Sequence, residues 1–304
     1  MQISLINIDS KIPNLALAKI AKYHEGLGDT VIYDCPLEKA DKTYVSCVFT
    51  KNKHKAEQYI GRAEIGGSGY SLDITLPPEI EEIKPRINYG FTTRGCIRNC
   101  DFCIVPKKEG KIRIVGDLLD LWDGKSKLIT VMDNNIIALP EHFTIVCQQA
   151  IDNKIKVDFN QGLDHRLLTD ELCKTLARTP HLEYRFAFDH PSYKKTVDRA
   201  IDILLSNGIK RSTWYVLVGF NTTFEDDLWR CNYLKERNQN VFVQRYETVQ
   251  YDVKYSLLAR WGNQHHIFQS YTWDKFISHE KHRVSAKKCG LNVTELEPAQ
   301  GLFL

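Results

Sequence analysis

The stretch Asn88-Tyr89-Gly90-Phe91-Thr92-Thr93-Arg94-Gly95-Cys96-Ile97-Arg98-Asn99-Cys100-Asp101-Phe102-Cys103 decides how this chain is read. A strand-like run opens it, and three of the nine cysteines follow within eight residues, spaced C-x3-C-x2-C. Three thiolates on one tight loop suit a single metal centre. An ordinary [4Fe–4S] cluster takes four cysteine ligands. A loop that offers three implies a cubane with one iron open to another molecule. An open coordination position is what separates catalytic from structural metal sites.

Working outward, the strand before the loop is the first of six that alternate with helical patterns. Strands are expected at residues 89–93, 128–133, 156–160, 183–189, 212–219 and 241–246. Helices are expected near 115–122, 141–153, 170–178, 193–207 and 223–236. Asp170 and Glu171 enrich the first turn of one helix, as the macrodipole favours. Asn207-Gly208 closes another. Regular alternation of this kind predicts an α/β fold, a partial (β/α)6 TIM-like barrel over residues 85–246.

In parallel α/β folds, ligands collect at the carboxyl ends of the strands. Polar residues follow every strand here: the cysteines, then Asp133-Asn134-Asn135, Asn160-Gln161, Asp189-His190, Gly219-Phe220-Asn221 and Gln244-Arg245-Tyr246. Turn chemistry also puts Asn and Asp in such places, but it does not account for the cysteines.

Residues 1–84 read as a small Rossmann-like α/β domain before the barrel. Strands are expected at 2–8, 30–34 and 43–50, with a polar helix near 52–59. Pro13-Asn14 signals the start of another helix, whose apolar face carries Leu15, Leu17, Ala18 and Ala21. Ile65-Gly66-Gly67-Ser68-Gly69 lacks both the full dinucleotide fingerprint and the P-loop Lys-Ser/Thr, and is expected to be a glycine turn. Cys35 and Cys47 read as small packing groups. Pro77-Pro78 and the charged run 79–84 read as a linker.

Residues 247–304 read as a capping segment. Its aromatics, Tyr251, Tyr255, Trp261, Tyr271 and Trp273, are expected to pack, with short helices near 256–261 and 273–280. His279 and His282 lack an acidic or cysteine partner nearby and read as capping or solvated groups. Cys289 reads as a lone thiol.

Composition sets outer bounds. The 304 residues are 43% hydrophobic and 26% charged, ordinary for a globular protein. A formal net charge of +3 makes no electrostatic case for nucleic acid. No apolar run approaches the roughly 20 residues that span a bilayer, so no membrane partner is expected. The first residues lack signal-peptide features. An odd cysteine count with three clustered argues against a disulfide framework and for the reducing cytoplasm.

Cys96-x3-Cys100-Asp101-Phe102-Cys103, with an aromatic before the last cysteine, resembles the signature of the radical S-adenosylmethionine (radical SAM) enzymes. The resemblance covers the loop and the six-unit repeat. It implies that Cys96, Cys100 and Cys103 hold a [4Fe–4S] cluster whose fourth iron is chelated by SAM. One electron then cleaves SAM to methionine and a 5′-deoxyadenosyl radical, which takes a hydrogen from a substrate. An external flavodoxin- or ferredoxin-like electron donor is implied as a partner.

By the same resemblance, Phe102 lies at the adenine end, and Asp133 and Asn134 stand where the family contacts the methionine amino group. That contact is often a Gly-Gly-Glu run, for which this chain has Asp-Asn-Asn. Asn160 and Gln161 match the place that meets the ribose, and Gly219 a turn beside adenine. Arg166 is a candidate for the SAM carboxylate, since guanidinium suits bidentate carboxylate recognition. Its alternative is a surface arginine at a helix start. Cys173, Cys231, Tyr246 and Tyr251 are candidate hydrogen donors or radical relays.

The N-terminal layer is similar to the cobalamin-binding domain that precedes some radical SAM barrels. The cobalt-ligating Asp-x-His-x-x-Gly is absent, since His24 and His54 lack its flanking residues, so cobalamin is not expected. Methylthiotransferases need three further cysteines in that layer, where this chain has only Cys35 and Cys47. Three function classes stand side by side: a radical SAM enzyme of unknown substrate, a cobalamin-dependent methyltransferase on the same barrel, and a non-catalytic module stapled by metal. The last needs a fourth ligand, for which Cys147 and His142 are nearest in sequence beyond the loop.

Overall fold

The computed structural model describes residues 1–34 and 39–293, and the chain forms two compact units, Met1–Asn134 and a second from Asn135 onward. Both are mixed α/β with parallel strands.

The first unit opens with a four-stranded sheet of β1 (Gln2–Asn7), β2 (Thr30–Tyr33), β3 (Lys42–Ser46) and β4 (Glu64–Gly66), in the order β2-β1-β3-β4. All its pairings are parallel. A parallel sheet must be covered on both faces, and alternation along β1 does this. Ile3 and Leu5 pack with Leu17, Ile20 and Ala21 of the helix Leu15–Gly26, while Ile6 on the opposite face packs with Val45, Cys47 and Ala56. Each buried Ile or Leu contributes about 1.5–3 kcal/mol.

The start signal works as its chemistry requires: Asn14 caps the helix, its side chain accepting from Leu17 N–H at 3.2 Å. The run read as a linker instead carries the short helix Pro78–Glu81, and it joins this core through the buried Ile80.

The glycine turn owes its composition to close backbone approach. A Cβ on Gly67 would lie 2.2 Å from the Cys47 carbonyl oxygen, and one on Gly69 would lie 2.4 Å from the Phe49 backbone. It is a turn, as expected, and Gly69 N–H donates to Cys47 O at 3.0 Å.

Four more strands complete the first unit. β5 (Tyr89–Gly90) pairs in parallel with β8 (Leu128–Val131), Tyr89 opposite Thr130. β6 (Thr93–Arg94) pairs antiparallel with β7 (Arg113–Ile114).

In the second unit, β10 (Arg185–Ala187), β11 (Thr213–Val218) and β12 (Asn240–Arg245) form a parallel sheet, following β9 (Lys156–Phe159). One face is an apolar core built from Phe186, Trp214, Val216, Val218, Val241 and Val243. The helices Lys194–Ser206 and Phe224–Glu236 bury Val197, Ala200, Ile201, Leu204, Phe224 and Leu234. The helix Asp170–Arg178 has the predicted bounds, with Thr169 as its cap. Helix Val253–Gly262 comes close to β12, since a Cβ on Gly262 would sit 2.8 Å from Val243.

Most of the C-terminal aromatics pack as expected, but Tyr251 does not and stands exposed. Trp261 lies 4.7 Å from Phe268 and 5.6 Å from Trp273 between ring centroids. His279 caps the helix Glu280–Lys288, and His282 stacks on Phe276. Among the described residues, no helix is long and apolar enough to cross a membrane.

Candidate metal centre

The cysteine loop lies between β6 and β7, whose two-residue ladder pins its ends together. Gly95 starts the loop at φ +82°, and a Cβ there would lie 2.4 Å from Lys111 O and 2.6 Å from Gly110 O. Only glycine fits this closure. Cys96 N–H then donates to Gly110 O at 3.2 Å, so the first cysteine is tied to the far side of its own loop. Cys103 N–H donates to Cys100 O at 2.9 Å, a turn that brings the second and third cysteines near each other. The short helix Val105–Glu109 follows.

All three cysteines are half-buried and none is in a disulfide. Arg98 N–H points at Cys96 Sγ, 3.3 Å away, and Val105 N–H at Cys103 Sγ, 3.5 Å away. Hydrogen bonds to sulfur are among the features that tune an iron–sulfur cluster. Among the described residues, no three His, Cys, Asp or Glu side chains form a single-ion site. A [4Fe–4S] cubane asks for something else, one thiolate for each iron it ligates, so its ligands stand around a cluster and need not meet at a point. In number, three cysteines on one loop match the protein ligands of a cubane with one iron left open.

Two carboxylates hold the base of the loop. Asp133 is buried at the end of β8 and accepts from Thr92 N–H at 2.7 Å, Thr92 Oγ1 at 2.5 Å and Thr93 N–H at 2.9 Å. Burial pushes its carboxyl up to about 6 even though these donors pull the other way. Glu109 Oε2 accepts from Gly95 N–H at 2.9 Å and from Asn134 Nδ2 at 2.8 Å, while Glu109 Oε1 is 3.2 Å from the Arg94 guanidinium. Arg94 also lies over the Phe91 ring. Lys108 donates to Ser68 Oγ, and burial lowers its pKa, with the Arg94 charge acting in the same direction.

Phe102 is half-buried in the loop itself, and the other candidates lie in the second unit. The Asn160 carbonyl accepts from the Tyr215 hydroxyl at 2.5 Å, and Gly162 packs against the same ring. Gln161 is exposed in that turn. Arg166 is in a bidentate pair with Asp164, at 2.6 Å and 3.1 Å, and lies over the Tyr193 ring. Gly219, at φ +79°, donates its N–H to Asp227 at 2.8 Å, and a Cβ on it would strike Val249. Tyr246 stands edge-on to Phe220.

Cys173 and Cys231 are buried in helices, and burial pushes their thiols up to about 11 and about 12. Cys147 and His142 are likewise buried on the helix Pro140–Asp152. Tyr251 is 85% exposed. Cys47 donates to Asp9 and to Phe49 O, while Cys35 lies outside the described residues.

Sequence reading missed Glu109, because nothing about a Glu six residues after Cys103 marks it. Its role comes from Gly95 and Asn134, which meet it only in the fold. It also missed the buried Asp227–Arg230 pair, for which there was a signal: both sit on the apolar stripe of their helix with Phe224, Cys231 and Leu234.

No protein-family model matches the chain. It is similar to the ribosomal protein uS12 methylthiotransferase RimO of Pseudomonas aeruginosa (strain UCBPP-PA14), 28% identical over 106 residues, covering 34% of this chain and 22% of that protein. The tRNA-2-methylthio-N(6)-dimethylallyladenosine synthase of Aquifex aeolicus (strain VF5) is 23% identical over 219 residues, covering 58% of this chain and 48% of that protein. RimO of Pseudomonas fluorescens (strain Pf0-1) is 26% identical over 141 residues, covering 44% and 29%. The chain thus spans less than half the length of each of these curated relatives. Through these methylthiotransferases, the chain is a distant relative of the radical SAM superfamily.

Proposed function

We propose that the chain is a radical SAM enzyme in which Cys96, Cys100 and Cys103 hold a [4Fe–4S] cluster, leaving one iron for the amino and carboxylate groups of SAM. When bound, the cluster supplies the electron that cleaves SAM to methionine and a 5′-deoxyadenosyl radical. The observation that carries the reading is one clamped loop presenting three half-buried cysteines, two of them with N–H groups directed at sulfur.

Around this centre, Phe102 lies at the adenine end and Asn134 faces the methionine amino group. Asp133 serves that contact by fixing the turn, since its oxygens hold Thr92 and Thr93. The family resemblance assigns Asn160 and Gln161 to the ribose, Arg166 to the SAM carboxylate and Gly219 to the adenine. Residues 85–246 act as a partial (β/α)6 barrel, preceded by the Rossmann-like layer 1–84 and capped by 247–304. A flavodoxin- or ferredoxin-like protein delivers the electron.

The relatives' names favour a second reading, methylthio transfer to a ribosomal protein or to an adenosine of tRNA. Against it, the N-terminal layer has two cysteines where three would be needed, and Cys47 is buried in a hydrogen-bonded site.

Anaerobic reconstitution with iron and sulfide, then incubation with SAM and dithionite, tests the first reading. Chromatography is expected to show 5′-deoxyadenosine. A protein that takes up no iron, or that leaves SAM intact, sinks it.

A further inference from the structure

We propose that Glu109 is a positioning residue for the metal centre, setting Cys96 against the Asn134 turn. The proposal rests on the radical SAM reading. The Glu109 side chain is only 10% exposed, and one carboxylate joins three segments far apart in sequence. Gly95 precedes the first cysteine, the helix Val105–Glu109 follows the third, and Asn134 lies in the turn after β8. Arg94 alone would be enough to pair the charge. The bonds to Gly95 and Asn134 add a geometric constraint between the ligand loop and the turn assigned to the cofactor.

A glutamine at this position has the right shape and the wrong donors. Turned one way, its amide NH2 faces Arg94; turned the other, it faces the Gly95 N–H and the Asn134 amide. The substitution also removes a negative charge near the cluster, and net charge is one of the levers on cluster potential. Less negative surroundings favour the reduced state, so the potential should rise.

The test compares full-length wild type, Glu109→Gln and Glu109→Asp after anaerobic reconstitution. Readouts are circular dichroism, iron content, redox titration followed by electron paramagnetic resonance (EPR), and the KM for SAM. Glu109→Gln is expected to fold, to show a more positive midpoint potential and to lose about 10–100-fold in iron affinity or SAM cleavage, the range typical of groups that orient metal ligands. Glu109→Asp keeps the charge but draws the carboxylate back by one methylene. It should keep the wild-type potential and raise the KM for SAM.

Wild-type potential, iron content and KM in Glu109→Gln would overturn the proposal and leave the radical SAM reading standing. So would unfolding of both variants, which would make Glu109 a folding residue. A wild-type protein that binds no cluster would overturn the radical SAM reading, and this proposal with it.

Discussion

The base of the cysteine loop and the second unit both bury charge, but they lean on arginine to different degrees. Asp133 and Glu109 give their oxygens mainly to N–H and hydroxyl donors of neighbouring segments. In the second unit, carboxylates are matched with arginines: Asp158 with Arg185, Asp164 with Arg166, and Asp227 with Arg230. The last pair is fully buried, and Arg230 also donates to Phe188 O and Leu217 O. An arginine-paired carboxylate is neutralised where it stands. A carboxylate held by N–H groups fixes backbone, and here that backbone carries three cysteines.

The sharpest way to break this comparison is to remove one arginine from each region. Arg230→Ala strands Asp227 and two carbonyls in the core, and urea denaturation should show a loss of about 3–5 kcal/mol. Arg94→Ala leaves Glu109 with its Gly95 and Asn134 donors, and should cost about 1 kcal/mol. Equal losses would mean that the two regions are built alike.

Two buried groups, one from each region, should show pH dependences of opposite sign. In the second unit, His165 is buried against Trp214, 5.6 Å between centroids, and burial lowers its pKa from 6.5 to about 4. The unfolded chain therefore takes up this proton first, and stability is lost as pH falls from 6.5 towards 4. Asp133 runs the other way. Its pKa is raised from 3.8 to about 6, so the folded state holds the proton longer, and stability falls as pH rises through that window. Each shift corresponds to on the order of 3 kcal/mol. Urea titrations at several pH values should show His165→Gln flattening the acid-side loss and Asp133→Asn flattening the opposite one. Unchanged slopes would contradict both assignments.

Two glycines give the smallest contrast. Gly208 has φ +81° with open space around it, so Gly208→Ala should cost only the backbone penalty of about 1–2 kcal/mol. Gly95 has nearly the same φ but faces carbonyl oxygens, so Gly95→Ala should cost more and also lower iron content, read by colorimetric iron assay.

Much of the secondary structure was readable from periodicity. Five of the six central strands appear near their expected bounds, and so does the Asn14 cap, but the first, expected over 89–93, stops at Gly90 and resumes as β6. Shorter features escaped. β4 hides in a glycine-rich run, and the β6–β7 ladder is two residues long, too short for any alternation to register. The cysteines announced themselves by spacing. Glu109 did not, because its partners are brought to it by tertiary structure. Arg166 showed the limit of residue-type reasoning: a guanidinium suited to a carboxylate was found already paired with the neighbouring Asp164.

The central claim is that three cysteines leave one iron open to SAM. EPR of the reduced, reconstituted protein, recorded with and without SAM, tests it most directly. A [4Fe–4S] signal that changes on adding SAM, and that is lost when Cys96, Cys100 or Cys103 is replaced by serine, is the predicted result. A signal indifferent to SAM, or one that also disappears with Cys147→Ser, would mean that the cluster is closed by a fourth protein ligand and would contradict the account.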